Sequence, residues 1–312
     1  MAYYETWQDD PDFGKAVAAG STLKKRLMVA AVMVPIVCVA ILYLPSAGLL
    51  VLLAMISTVV TLEFYDLLAK IKIPSFRYVG ATAGILVLLA TYVGLYGENG
   101  TPGRAAEATL AIMALTVCAL LVRQMPQNRN KKPLSTISCT LLGICYIPLL
   151  LSFFIRLAFT WDVIGWRVPL AGHTGGSLVL YVCVVAKLTD AGALFAGSMF
   201  GRHKLFPRIS PGKTWEGLAG GLGLGVLSSS IFLGLGAWRL GNIYVGIPHA
   251  ILLGLAIAVS ATLGDLAESL MKRASSAKDS ARLFPGLGGG LDIMDSILFA
   301  LPVTYVYVRL LL

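Results

Sequence analysis

Two pairs of carboxylates, Asp265/Glu268 and Asp292/Asp295, have their members three residues apart. On a helix that spacing puts both side chains of a pair on one face. Between the pairs lie Lys272, Arg273, Lys278 and Arg282, followed by the glycine-rich run FPGLGGGLDIMDS, residues 284–296. Carboxylates from two helices beside several cations suit a magnesium-bound polyphosphate. Mg²⁺ takes hard oxygen ligands, usually one or two carboxylates with phosphate and water completing the shell. The cations would offset phosphate charge that the metal does not, and the glycines would let backbone amides come close. The pattern points to phosphoryl or nucleotidyl transfer, with a cation or proton route through the same acids as the competing reading.

A second basic segment, GRHKLFPRISPGKTWEGLAGG, occupies residues 201–221. Its PGKT is not a P-loop, because the glycine that motif needs five residues before Gly212 is Pro207. What it offers is Arg202, Lys204, Arg208 and Lys213, with the hydroxyls of Ser210 and Thr214, ahead of a helix starting near Trp215. Such a helix start suits a phosphate; plain loop chemistry is an equal alternative. Gly217, Gly221 and Gly225, spaced by four, read as a packing ridge. Glu63 and Asp66 in TLEFYDL repeat the carboxylate spacing, and there an interfacial cap or a salt bridge to Lys70 competes with chemistry. His203 could neighbour a phosphate, but no role is assigned to it or to His173 and His249. The five cysteines (Cys38, Cys118, Cys139, Cys145 and Cys183) lie in apolar runs without metal-type spacing and read as buried small apolar residues.

The elements that must position these groups are set by composition. Of 312 residues, 57% are hydrophobic and 13% charged, against roughly 45–50% and about 25% in soluble domains. The chain is therefore expected to be an integral membrane protein. Nine stretches reach the ~20 apolar residues a bilayer core requires: roughly 27–45, 46–64, 78–96, 106–122, 136–157, 177–199, 217–238, 247–270 and 294–312. The expected fold is all-α and polytopic, with about nine transmembrane helices and a cytoplasm-facing polar cavity formed by the C-terminal helices. Residues 1–26 read as a cytoplasmic tail without a cleavable signal, 27–176 as N-terminal helices, and 177–312 as the catalytic region.

The net charge of +9 does not indicate a nucleic-acid partner, because it sorts by loop. Nineteen of the twenty-five lysines and arginines fall in the N-terminal tail and in alternate loops, five fall in the other segments, and Lys187 lies inside a span. The positive-inside rule then puts the N-terminus and the basic loops in the cytoplasm, of the inner membrane if the source is bacterial. Seven of the sixteen acids, Glu63, Asp66, Asp190, Asp265, Glu268, Asp292 and Asp295, lie in or at the edges of spans. A carboxylate at that depth costs several kcal/mol unless paired or hydrated, which marks it as functional.

At these residues the sequence resembles the phosphatidate cytidylyltransferases, or CDP-diacylglycerol synthases. Ser269, Lys272, Arg273, Lys278, Asp279, Ala281, Phe284, Pro285, Gly288, Gly289, Asp292 and Asp295 match that family's signature at its spacing. SPGKTWEG (210–217), GDLAES (264–269) and Asp190 in KLTDAGALFAG match its further motifs. The resemblance is dense over residues 185–300 and sparse in the front half. It implies conversion of CTP and phosphatidate to CDP-diacylglycerol and pyrophosphate, in phospholipid biosynthesis. It also implies Mg²⁺ as cofactor, a second cation being an open alternative, CTP, phosphatidic acid and membrane lipids as partners, and, from the family alone, a homodimer.

Residue by residue, Asp265 and Asp292 are expected as metal ligands, with Asp295 as a third or supporting carboxylate. Lys213 joins Asp265 and Asp292 as the catalytic set. Lys272, Arg273 and Lys278 are expected on phosphates, Ser210, Thr214 and Asp279 as positioning nucleotide or loop, and Gly288 and Gly289 as the phosphate cradle. Glu268 and Asp190 are expected to order a cation or line the cavity. Three positions depart from the pattern: Leu287 stands for its histidine, Gly290 for an aliphatic residue and Ile293 for its arginine. A weakened or inactive enzyme, a different lipid phosphate or alcohol as substrate, and compensation by Arg202, His203 or Arg282 are the open readings. A proton- or cation-coupled transporter is the alternative from another class.

Overall fold

The computed structural model describes residues 39–96, 99–125, 130, 132–162, 165, 167–275 and 289–312. Among these, eight helices are long and apolar enough to cross a membrane: α1 Ser46–Lys70, α2 Arg77–Leu95, α3 Pro102–Gln124, α4 Pro133–Phe159, α5 Thr174–Phe200, α6 Trp215–Leu235, α7 Ile247–Ala274 and α8 Gly290–Leu311. Each overlays one of the expected spans, with ends displaced by a few residues, because a bilayer crossing needs an uninterrupted apolar run. Most of the expected span over 27–45 lies outside the described residues, and its last part, 39–43, is helical. The protein is an all-α, multi-pass integral membrane protein.

Local chemistry sets several boundaries. Proline stands in the first turn of α3, α4 and α7, where its missing N–H has no helical acceptor to lose. Pro148 falls inside α4, and the helix absorbs it as a π turn over Cys145–Leu149. The five charges assigned to the less basic segments include Arg156, which lies instead within α4, buried, donating to Thr109 Oγ1 at 3.1 Å on α3. Of the cysteines, Cys118, Cys139, Cys145 and Cys183 are free thiols; Cys118 is exposed and the others half-buried rather than fully buried. Cys38 lies outside the described residues.

Helices α5 and α6 pack tightly along the glycine ridge, where a side chain at Gly221 would meet Thr189 O at 3.0 Å. α7 packs on α6 and α8, while α4 and α1 close the other side of α8. Among the described residues, two short antiparallel hairpins interrupt the helices, β1 Lys204–Phe206 with β2 Ser210–Thr214, and β3 Arg239–Leu240 with β4 Ile243–Tyr244. The first carries the SPGKT segment, expected only as a loop.

Candidate active site

The site lies where α7 meets the N-terminal end of α8. On α7, Asp265, Glu268 and Lys272 follow one another at intervals of three and four and so share a face. α8 begins at Gly290, so Asp292 and Asp295 occupy its first two turns. The helices touch through Gly264, beside Asp265: a Cβ there would overlap the carbonyl oxygen of Asp295. Only a residue without a side chain permits this crossing.

That contact gathers ligand oxygens of Asp265, Glu268 and Asp295 within 4.8 Å of one another. Glu268 and Asp295 are buried, with 1% and 6% exposure, and Asp265 is half-buried. Two lysines offset the charge. Lys213 Nζ lies 2.9 Å from Asp265 Oδ2, and Lys272 Nζ lies 2.6 Å from Glu268 Oε2 and 2.8 Å from Asp292 Oδ1. Asp295 Oδ1 accepts from the N–H of Ser296 at 2.6 Å.

The expected metal set was Asp265, Asp292 and Asp295. In the structure Glu268 completes the cluster, and Asp292 stands beside it, bridged to Glu268 by Lys272. The second oxygen of Asp292 accepts from Gly289 N–H at 2.7 Å, which satisfies one of the amides a helix start leaves unpaired. A further amide of that helix start, Leu291 N–H, donates to Glu63 Oε2 at 3.0 Å. Glu63, 4% exposed, thus caps α8 from α1, not its own helix. Gly290 leaves room for it, since a Cβ there would meet Val60 Cγ2 at 3.0 Å and Glu63 Oε2 at 3.3 Å. Asp66 pairs with Arg77 at 3.1 Å rather than with Lys70.

The β1–β2 hairpin delivers Lys213 to this cluster. Thr214 caps α6, accepting from Gly217 N–H at 3.1 Å, so its hydroxyl fixes the hairpin to the helix. Glu216 accepts from the N–H groups of Arg202 and His203 and lies 2.6 Å from His203 Nδ1. Arg273 is exposed and donates to Ile209 O at 3.3 Å, tying the hairpin to α7 rather than reaching the carboxylates. Ser210 opens β2, paired with Phe206. Gly289 stands at the α8 cap, while Lys278, Asp279, Gly288, Arg282 and Leu287 lie outside the described residues.

A second polar group adjoins the first on the α5 side. Lys187 Nζ donates to Ile293 O at 2.8 Å, to Ser296 Oγ at 2.9 Å and to Asp190 Oδ2 at 3.3 Å. Ser296 Oγ donates in turn to Asp190 Oδ2 at 2.8 Å. The sequence marks Lys187 as a charge inside a span, but not its partners.

The family model for the cytidylyltransferase family matches residues 24–311. The chain belongs to the cytidylyltransferase family. Over 297 residues it is 32% identical to a phosphatidate cytidylyltransferase of Haemophilus influenzae, covering 90% of this chain and 96% of that one. A Thermotoga maritima protein of the same name is 29% identical over 294 residues, covering 93% and 97%. One from Bacillus subtilis is 42% identical over 131 residues, covering 42% and 47%.

In this cytidylyltransferase the carboxylate cluster fits a divalent cation. Glu268 Oε1 is buried and has no hydrogen-bond partner among the described residues, and a buried carboxylate oxygen in that state needs a cation or a donor. One oxygen each from Asp265, Glu268 and Asp295 makes three hard donors within 4.8 Å of one another, the donor type that Mg²⁺ takes. Glu63, Lys187 and Ser296 are the site neighbours that motif reading alone did not assign. For Glu63 and Lys187 the available signal is a charged residue at membrane depth. Ser296 carries no such mark.

Proposed function

We infer that the protein is a membrane-embedded phosphatidate cytidylyltransferase, converting CTP and phosphatidate to CDP-diacylglycerol and pyrophosphate. The observation that carries this reading is the near full-length similarity to phosphatidate cytidylyltransferases, combined with the meeting of Lys213, Asp265, Lys272 and Asp292 at one helix crossing. In the reaction an oxygen of the lipid phosphate forms a bond to the α-phosphorus of CTP. The bond from that phosphorus to the oxygen bridging to the β-phosphate breaks, and its electron pair leaves with pyrophosphate. The lipid phosphate is already anionic at neutral pH, so no strong general base is needed.

The chain's own contribution is positioning and charge neutralisation. Asp265, Glu268 and Asp295 would hold Mg²⁺, with Asp292 beside them, and the ion when bound neutralises phosphate oxygens as a Lewis acid. Lys213 and Lys272, already held by carboxylates, present ammonium groups to the phosphates without first having to be ordered. Asp292 and Glu63 fix the start of α8, and Thr214 fixes the hairpin that bears Lys213. The region 177–312 carries the chemistry, and the helices before it form a scaffold that reaches the site through Glu63. The basic loops, including the hairpin and the segment after α7, face the cytoplasm, so CTP enters from there and the lipid from the side.

The test is purified protein with radiolabelled CTP, Mg²⁺ and either phosphatidate or another lipid phosphate, comparing the wild type with Asp265→Ala and Asp292→Ala. CDP-diacylglycerol should form only with phosphatidate, and each variant should fall at least about a hundredfold, as for loss of one transition-state electrostatic contact. No lipid-dependent product from the wild type refutes the synthase reading, and full product from both variants refutes the site.

A further inference from the structure

We propose that the ammonium of Lys187 is a built-in cation of this site, supplying from α5 the positive charge that the family pattern supplies from α8 with the arginine replaced here by Ile293. The proposal deepens the cytidylyltransferase reading and rests on it. Ile293 and Ser296 are three apart on α8 and so lie on one face. Ser296 on that face bonds both Lys187 and Asp190. An arginine at 293 would therefore project toward the carboxylate that Lys187 now reaches from the facing helix. The ammonium lies 2.8 Å from the carbonyl oxygen of Ile293 itself, and its partner Ser296 donates its backbone N–H to the buried Asp295.

The charge count supports an electrostatic role. Five carboxylates (Asp190, Asp265, Glu268, Asp292, Asp295) meet three ammonium groups (Lys187, Lys213, Lys272) in this network. Acids thus outnumber the fixed cations, which suits a site that also takes a metal ion. Without Lys187 the network would lose one of its three ammonium groups and meet two anionic substrates with less fixed positive charge. Lys187 acts through the carboxylates and is a positioning residue.

The test uses full-length protein in detergent, comparing Lys187→Met, Ile293→Arg and the double variant. Thermal unfolding, Mn²⁺ binding by electron paramagnetic resonance, and the CTP dependence of CDP-diacylglycerol formation are read for each. Lys187→Met should raise KM for CTP at least tenfold, with a smaller change in kcat, and should bind Mn²⁺ more tightly because a competing positive charge is gone. A residue that merely stapled α5 to α8 would instead loosen the cluster and weaken Mn²⁺ binding. Adding Ile293→Arg should return both quantities toward the wild type, or restore folding if Lys187→Met alone does not fold. An unchanged KM in Lys187→Met, weaker Mn²⁺ binding, or no recovery of fold or kinetics in the double variant overturns the proposal. Absence of product from the wild type would sink the activity assignment alone, because the Mn²⁺ measurement needs no turnover.

Discussion

Replacing Lys272 with methionine removes one ammonium from between two carboxylates. Glu268 is 1% exposed and Asp292 15%, at 2.6 and 2.8 Å from the nitrogen that would be lost. Removing one partner of a buried ion pair costs roughly 3–5 kcal/mol, because a charge is left uncompensated. The lower end applies here, since Asp292 keeps the Gly289 amide. At roughly 2–4 °C per kcal/mol, a loss of about 3 kcal/mol lowers the unfolding midpoint by roughly 6–12 °C. Scanning fluorimetry in detergent measures this directly. The reasoning also makes a sharper demand. Combining Lys272→Met with Glu268→Gln removes both partners, so most of the lost stability should return, while synthesis stays at least about a hundredfold down for want of both the proposed phosphate contact and one of the proposed metal-holding carboxylates. A midpoint unchanged in Lys272→Met, or no recovery in the double variant, would refute the buried-pair account.

Gly264→Ala should push α7 from α8, since its Cβ would overlap Asp295 O; overpacking of this kind costs roughly 1–3 kcal/mol, and activity should fall further than stability because the carboxylates separate. Wild-type rates from this variant would contradict the crossing. Thr214→Val keeps the shape but loses the α6 cap, for about 1 kcal/mol, and should reduce synthesis through Lys213; Thr214→Ser should restore both in the same assays.

The spans were legible in the sequence because lipid tolerates no break in an apolar run. The stretch read as 78–96, for example, folds as Arg77–Leu95. The carboxylates of α7 were legible as a set, because helical periodicity alone puts Asp265, Glu268 and Lys272 together. Pairing between helices was not. Spacing shows that Asp292 and Asp295 share a face but not that the helix start draws Asp292 to Gly289 while Asp295 turns to Glu268. The hairpin over 204–214 was hidden because Pro207 and Pro211 interrupt any alternation of apolar and polar residues. Glu63 looked like a cap or a salt bridge for its own neighbourhood, and nothing local in the sequence points 228 residues ahead to Leu291.

That separation has a consequence in time. At about 5–20 residues per second, synthesis takes roughly 10–50 s to pass from Glu63 to the amide it caps. Throughout that interval α1 is made, and can be inserted, before α8 exists to meet it. The carboxylate cluster at the start of α8 is therefore among the late structures to close on a growing chain. A nascent protein with its early helices already in the bilayer would still lack the arrangement that turns over substrate.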